Sequence, residues 1–136
     1  MSDDVPSELK YTREHEWAKI EDRDGKKVAT IGVTRFAVEQ LGDITQIDLP
    51  KEGESFKKDD VLGSVESVKA VSDVYAPLSG KIVKVNTPLL DTPEDLAEEP
   101  YDEGWMVQIE LTNLAELEGL LDADAYAAFV LEQDDH

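Results

Sequence analysis

The stretch VLGSVESVKAVSDVYA, residues 61–76, decides the predicted fold. Residues 61–68 and 71–76 are rich in valine, which is typical of strands. Because only Lys69 and Ala70 separate them, the connection is too short to be anything but a tight turn. The stretch therefore predicts a hairpin with Lys69 at its tip, on a long, flexible stem that is accessible to modification. From position alone, an ordinary solvated turn lysine is the simpler interpretation.

Short strands separated by Gly and Pro turns continue on both sides of this hairpin. A charged segment that ends on Gly25 predicts a turn over residues 21–26. Short strands at near-regular spacing favour a small sandwich or barrel. The remaining strands are predicted at residues 11–20, 27–33, 44–49, 81–86 and 105–111.

Helices are predicted only at the edges of this β pattern. Thr34 can cap a helix over residues 34–41 that Gly42 would stop, and Asp122 can cap a final helix. In that final helix Tyr126, Phe129 and Val130 share one face. Shorter helical turns are predicted within residues 91–100 and 113–119.

The length of the chain predicts one domain. At 136 residues it is too short for two full cores, so we assign residues 1–136 to a single domain. We expect a loose N-terminal segment over residues 1–8 and a frayed tail over residues 132–136. The predicted domain is mainly β.

The charge is strongly and unevenly negative. There are 32 acidic and 13 basic residues, for a net charge of -19, and after Lys84 the chain has 15 acidic residues and no Lys or Arg. This charge argues against binding to nucleic acid, whose phosphate backbone requires clustered Lys and Arg, and against docking on an anionic membrane. We favour adaptation to high salt, because the acidic residues are scattered rather than gathered in one tail, and a merely soluble acidic surface explains the charge about equally well.

The residue inventory excludes several kinds of chemistry. The chain has no Cys, and its only histidines are His15 and His136, so disulfides, thiolate metal sites and multi-histidine metal sites are excluded. With no nucleophile-elbow motif and no Gly-rich phosphate loop, we expect no catalytic residue, no metal and no enzyme activity. Residues 1–6 do not resemble a signal peptide, and the apolar run 125–131 is too short to span a membrane. We expect a cytoplasmic monomer.

The surroundings of Lys69 change the simple interpretation of that lysine. Val65-Glu66-Ser67-Val68-Lys69-Ala70, followed by Ser72-Asp73, resembles the lipoate-attachment region of glycine cleavage system H proteins. The similarity extends over nearly the whole chain, and several motifs in one order are far more specific than one. The other matching motifs are Lys10-Tyr11-Thr12, Glu14-His15-Glu16-Trp17, Ala29-Thr30-Ile31-Gly32-Val33-Thr34, Leu41-Gly42-Asp43-Ile44, Leu49-Pro50, Gly53, Pro77, Ser79-Gly80, Val85-Asn86, Pro100-Tyr101 and Gly104-Trp105-Met106.

The resemblance implies a fold, a cofactor and a set of partners. The fold would be a lipoyl/biotinyl-carrier-type barrel-sandwich hybrid with short peripheral helices and a C-terminal helix. Lys69 would carry lipoate as an amide, so that the cofactor brings the sulfur atoms that the chain lacks. The arm would take the aminomethyl group of glycine from glycine decarboxylase (P protein) to aminomethyltransferase (T protein), and dihydrolipoamide dehydrogenase (L protein) would reoxidise it. A lipoate ligase or lipoyl transferase would attach the cofactor.

The resemblance also implies a cleft that protects the loaded arm. Its matching residues are Glu16 and Asp73, whose carboxylates would pair with an ammonium group, and Gln40 lies nearby. Solvated surface acids are an equally good interpretation of both carboxylates. Arg35 and Phe36 depart from the acid-plus-aromatic pair common at these positions in the family.

Other carriers remain as alternatives. A biotin carrier usually has methionines beside its lysine, whereas Lys69 lies between Val68 and Ala70. Lipoyl domains of 2-oxo acid dehydrogenases usually have an acid before the lysine and Ala/Pro-rich linkers, both of which are missing here. A lipoate relay, which hands lipoate on to other enzymes, is not separated from a glycine cleavage role by the sequence.

Overall fold

Within residues 6–101 and 103–134, which this computed structural model describes, nine strands form two antiparallel sheets. The strands and α-helices are β1 (Lys10–Tyr11), β2 (Glu16–Arg23), β3 (Lys26–Val33), α1 (Arg35–Leu41), β4 (Ile44–Asp48), β5 (Ser55–Phe56), β6 (Val61–Ser67), β7 (Val71–Tyr75), β8 (Gly80–Val85), α2 (Pro88–Asp91), α3 (Glu94–Glu98), β9 (Val107–Leu111) and α4 (Ala123–Asp134). A 3-10 helix spans Leu114–Gly119. The larger sheet has the strand order β1-β2-β3-β9-β8-β5 and the smaller has the order β4-β6-β7.

The main core is formed by side chains of both sheets. Ile31 and Ile109 come from the larger sheet, and Val65 and Val74 come from the smaller one. Burial of such side chains is the main force that holds the two sheets together. The mainly β fold with peripheral helices and a C-terminal helix, predicted from the sequence, is thereby confirmed.

A second, aromatic cluster attaches α4 to the edge of the larger sheet. The Tyr11 and Tyr126 rings stack with centroids 4.7 Å apart, and Trp17 is buried beside them. The Trp17 indole N–H donates to the Pro100 carbonyl oxygen at 2.9 Å. This cluster positions α4 and the segment around Pro100 against the sheet.

The first two predicted boundaries were wrong. The strand expected over residues 11–20 is interrupted, because the His15 N–H donates to the Thr12 carbonyl oxygen and His15 has a φ of 69°. The turn expected over residues 21–26 is confined to Asp24 and Gly25, both with positive φ, as a two-residue hairpin turn requires.

Three later boundaries also differ. The strand expected over residues 105–111 begins at Val107, and the segment 91–100 overlaps two short helices, α2 and α3, rather than one turn. Residues 132–134 of the expected frayed tail form the end of α4, and residues 135–136 lie outside the described part.

Part of the N-terminal segment that was expected to be loose contacts the rest of the protein. Of the segment 1–8, residues 1–5 lie outside the described residues. From Pro6 onward the chain contacts the body, because the Tyr11 hydroxyl donates to the Pro6 carbonyl oxygen and Leu9 is buried.

Candidate functional site

Lys69 lies exposed at the tip of the β6–β7 hairpin, as the sequence predicted. The Ser67 N–H donates to the Ala70 carbonyl oxygen at 2.8 Å, and the Ala70 N–H donates to Ser67 Oγ at 3.1 Å. The Val68 N–H donates to the Asp43 carbonyl oxygen at 3.1 Å, which joins the tip to the turn after α1. These bonds fix the backbone on both sides of the lysine, so its side chain leaves the hairpin from a defined position.

The aliphatic stem of Lys69 lies over the end of α1. A Cβ atom placed on Gly42 would lie 3.6 Å from Lys69 Cε. Gly42 ends the helix with a φ of 82° and donates its N–H to the Val38 carbonyl oxygen at 3.0 Å. This close approach places the stem against the residue that ends α1.

A cleft of about 680 Å³ lies beside the hairpin. The hairpin strands, α1, α4 and the connection between β1 and β2 form its walls. It brings together both predicted cleft residues, Glu16 and Asp73, with Gln40. The other lining residues are Glu14, His15, Val33, Phe36, Ala37, Leu41, Val65, Ser72, Val74, Phe129 and Glu132.

Glu16 is a buried acid, so its interpretation as a solvated surface acid was wrong. Only 2% of the residue is exposed. The Tyr75 N–H donates to Oε2 at 2.9 Å and the Thr12 hydroxyl donates to Oε1 at 3.0 Å. Burial raises the pKa of Glu16 to about 8, because the loss of water penalises the charged form more than these two donors favour it. Glu16 therefore holds a proton at neutral pH and ties β7 to the start of β2.

The other acids at the cleft are in contact with water. Asp73, Glu14 and Glu132 are exposed, and among the described residues that line the cleft there is no Lys or Arg. The position of Glu132 was missed, because the sequence placed it in a frayed tail. Its spacing of three residues from Phe129 puts both on one face of α4, and this was the available signal.

A hydrogen-bond network holds α4 in place as a wall of the cleft. The Tyr126 hydroxyl lies 2.8 Å from His15 Nδ1 and 2.7 Å from Thr34 Oγ1. Burial raises the pKa of Tyr126, so this hydroxyl keeps its proton. Thr34 Oγ1 also accepts the Ala37 N–H at 3.3 Å, which is the predicted cap of α1. The network thus connects α4, α1 and the β1–β2 connection.

Two further findings concern metals and membranes. Among the described residues, no group of three or more His, Asp or Glu is placed to hold a metal ion. The longest of the helices between residues 6 and 134 has 12 residues, and none of those described has the length and apolar character of a membrane span.

Comparison with known proteins gives one consistent result. The family model for the glycine cleavage H-protein matches residues 9–133. The chain is 50% identical over 131 residues to a glycine cleavage system H protein of Anaeromyxobacter sp. (strain K), covering 96% of this chain and 99% of that one. It is 52% identical over 128 residues to a glycine cleavage system H protein of Staphylococcus epidermidis, covering 94% of this chain and 98% of that one. A crystal structure of a glycine cleavage system H protein from Mycobacterium marinum superposes with a TM-score of 0.79 at 37% identity, covering 91% of this chain and 97% of that one.

Proposed function

This chain belongs to the glycine cleavage H-protein family, and on that premise we propose that Lys69 is the residue on which it carries lipoate as an amide. Members of the family are non-catalytic lipoyl carriers of the glycine cleavage system, and this chain is such a carrier rather than an enzyme. One observation carries the proposal for Lys69: its exposed amine lies at a hydrogen-bonded hairpin tip directly beside the cleft.

The residues around Lys69 fit a lipoyl group. The stem already lies against Gly42, at the end of the helix that forms one wall of the cleft. Apolar side chains such as Phe36, Leu41 and Val65 line the cleft and suit an aliphatic chain. When bound, lipoate supplies the disulfide that takes up the aminomethyl group of glycine.

The cleft acids suit an amine at the end of such an arm. The exposed Asp73 provides negative charge at the entrance, and Glu16 lies buried at the wall. A cation that enters the cleft lowers the pKa of Glu16 from its value of about 8, so the carboxylate forms where the positive charge lies. The two residues would hold an ammonium group in the cleft by charge pairing.

The partners follow from the proposed role. We infer that glycine decarboxylase (P protein) and aminomethyltransferase (T protein) use the arm in turn, and that dihydrolipoamide dehydrogenase (L protein) reoxidises it. Because the surface must fit each partner in turn and each must release the carrier for the next one, the interfaces are expected to be transient and polar.

Intact mass and peptide mapping test the attachment residue. After incubation with lipoate, ATP and a lipoate ligase, we expect one lipoyl increment on Lys69. The Lys69→Ala variant should lose the increment, whereas Lys57→Ala, which changes an exposed lysine in another turn, should keep it. A folded wild-type protein that stays unmodified beside a control substrate would refute the proposal.

The lifetime of the loaded arm tests the cleft. Asp73→Asn removes charge at the entrance and should speed the release of ammonia from the loaded protein. Asp43→Asn is the matched control, because the backbone of Asp43 contacts the tip through the Val68 N–H but Asp43 does not line the cleft. Equal lifetimes in the wild type and in Asp73→Asn would exclude a role for Asp73.

A further inference from the structure

The outer face of the larger sheet is basic, although the chain as a whole has a net charge of -19. Side chains alternate along each strand, so the neighbours of core residues such as Ala18, Ile31 and Ile109 point outward. The strand register aligns these neighbours in rows across β2, β3, β9 and β8. We call this surface the basic face. Its charged residues are five basic and two acidic ones: Lys19, Arg23, Lys26, Lys81, Lys84, Glu21 and Glu110.

A depression of about 290 Å³ lies in the basic face and has an ordered floor. The floor is formed by Thr30 and Gln108, which are both buried. Gln108 Nε2 donates to Thr30 Oγ1 at 3.1 Å, and Gln108 Oε1 accepts an N–H of Arg23 at 2.7 Å. The second terminal nitrogen of Arg23 pairs with Glu21 at 3.0 Å, and the Arg23 side chain is still 46% exposed. The guanidinium is therefore already positioned for a partner, which lowers the entropy lost on binding.

Lysines and aromatic rings complete the rim of the depression. Half-buried Tyr101 and Trp105 line it, and Lys84 Nζ lies 5.9 Å from the centre of the Trp105 ring. Within residues 6–101 and 103–134, neither Lys19 nor Lys84 forms a salt bridge. Tyr, Trp and Arg are the side chains that protein interfaces favour, and the two lysines add charge that only a partner could pair.

We propose that the basic face is a docking site for an acid-rich surface segment of a partner protein, whose carboxylates pair with Lys19, Arg23 and Lys84. The strands from β2 to β8 span about 14 Å at about 4.8 Å per step. This exceeds the screening length of about 8 Å at about 0.15 M salt, so the local charge of the face decides what it binds.

The size of the basic face favours a protein segment over a nucleic acid. A phosphate backbone carries a charge every few ångströms and would continue beyond the face onto the acidic surface around it. A short acid-rich segment can end within the face. Charge complementarity therefore selects a protein partner.

The position of the basic face separates this docking from the use of the arm. The face lies on the side of the larger sheet that is turned away from the smaller sheet, which contains the β6–β7 hairpin. No residue that lines the depression also lines the cleft. A partner docked here would hold the carrier by its body and leave Lys69 uncovered. Docking needs no modification of Lys69, so it goes beyond the proposed function.

Titration of the isotope-labelled full chain with capped octaglutamate tests the proposal by NMR. At about 0.1 M salt we expect shifts of amides in β2, β3, β8 and β9 and of the Trp105 indole N–H, with none in the β6–β7 hairpin. Capped octaglutamine should cause no shifts. Raising the salt to about 1 M should weaken binding of octaglutamate severalfold, because the screening length falls to about 3 Å.

Two double variants of equal net charge show whether the binding is local. Lys19→Gln with Lys84→Gln keeps side chains of moderate length and should weaken binding by about fivefold or more, because two exposed ion pairs are lost. Lys51→Gln with Lys58→Gln changes exposed lysines outside the depression and should bind as wild type. Equal affinities of the two double variants would refute the docking site.

Two other probes complete the test. Octathymidylate that bound the same amides more tightly than octaglutamate would assign the face to nucleic acid and overturn the proposal. Lipoylation of Lys69 should proceed at an unchanged rate with saturating octaglutamate, and a block would contradict a docked partner that leaves the arm free. A wild type that is never modified on Lys69 would refute the proposed function and leave the titration result standing.

Discussion

Replacing Glu16 by Gln should make the stability of this protein much less sensitive to alkaline pH. Gln has nearly the same shape and can still accept the Tyr75 N–H that now binds Oε2 at 2.9 Å. It can also keep a contact with Thr12, whose hydroxyl either donates or accepts. The substitution therefore removes ionisation while preserving the packing of a residue that is 2% exposed.

The magnitude follows from the two pKa values. In the unfolded chain Glu16 has its ordinary pKa of 4.5, and in the folded protein its pKa is about 8. Between these values the folded state binds more protons than the unfolded state, so stability falls as pH rises, and it levels off above pH 8. At about 1.4 kcal/mol per pH unit the full effect is about 5 kcal/mol, of which about 4 kcal/mol lies between pH 5 and pH 9.

Urea unfolding at pH 5, 7 and 9 measures this effect. It should be done in about 1 M salt, because the salt screens the charges of the surface acids. The free energy of unfolding of Glu16→Gln minus that of wild type should rise by about 4 kcal/mol from pH 5 to pH 9. Glu39→Gln, which changes an exposed acid of α1, should show no such trend. A constant difference between Glu16→Gln and wild type would show that Glu16 ionises normally and would refute the reasoning.

Three other predictions follow from the packing and the charge. Gly32→Ala would place a Cβ 2.8 Å from the Trp17 ring and should cost about 1–3 kcal/mol in urea unfolding; an unchanged midpoint would mean that the ring moves easily. Tyr126→Phe removes the bonds to Thr34 and His15, so amide exchange in α4 should speed up, with a loss of about 1–3 kcal/mol; unaltered exchange would mean that stacking alone holds α4. Because the net charge is -19, the melting temperature should rise when NaCl is increased from about 0.05 to about 1 M, since this increase shortens the screening length severalfold. A melting temperature that does not change with salt would refute adaptation to high salt.

The parts of the fold that were predictable depend on neighbours in sequence. Thr34 caps α1 and Gly42 ends it, and the Asp122 carboxylate accepts the Ala125 N–H at 2.8 Å. In each case both partners lie within a few residues, so the sequence already contains the complete interaction. The β6–β7 hairpin was predictable for the same reason.

The errors arose where a local pattern competes with a distant contact. Residues 11–20 have the composition of one strand, yet a turn at Thr12 and His15 breaks it so that the His15 ring can meet Tyr126, 111 residues away. Glu132 follows an apolar run and was expected to fray, but α4 continues along the cleft. No property of these short segments indicates what they will pack against.

The sequence by itself determined the position of Lys69 at a tight hairpin tip, because strand propensity and turn length act over a few residues. Only the tertiary structure decided the state of Glu16. Its carboxyl is buried against Tyr75, 59 residues away, and desolvation by the assembled sheets raises its pKa to about 8. Burial depends on how the whole chain packs, so one carboxylate among 32 acidic residues carried no sign of it in the sequence.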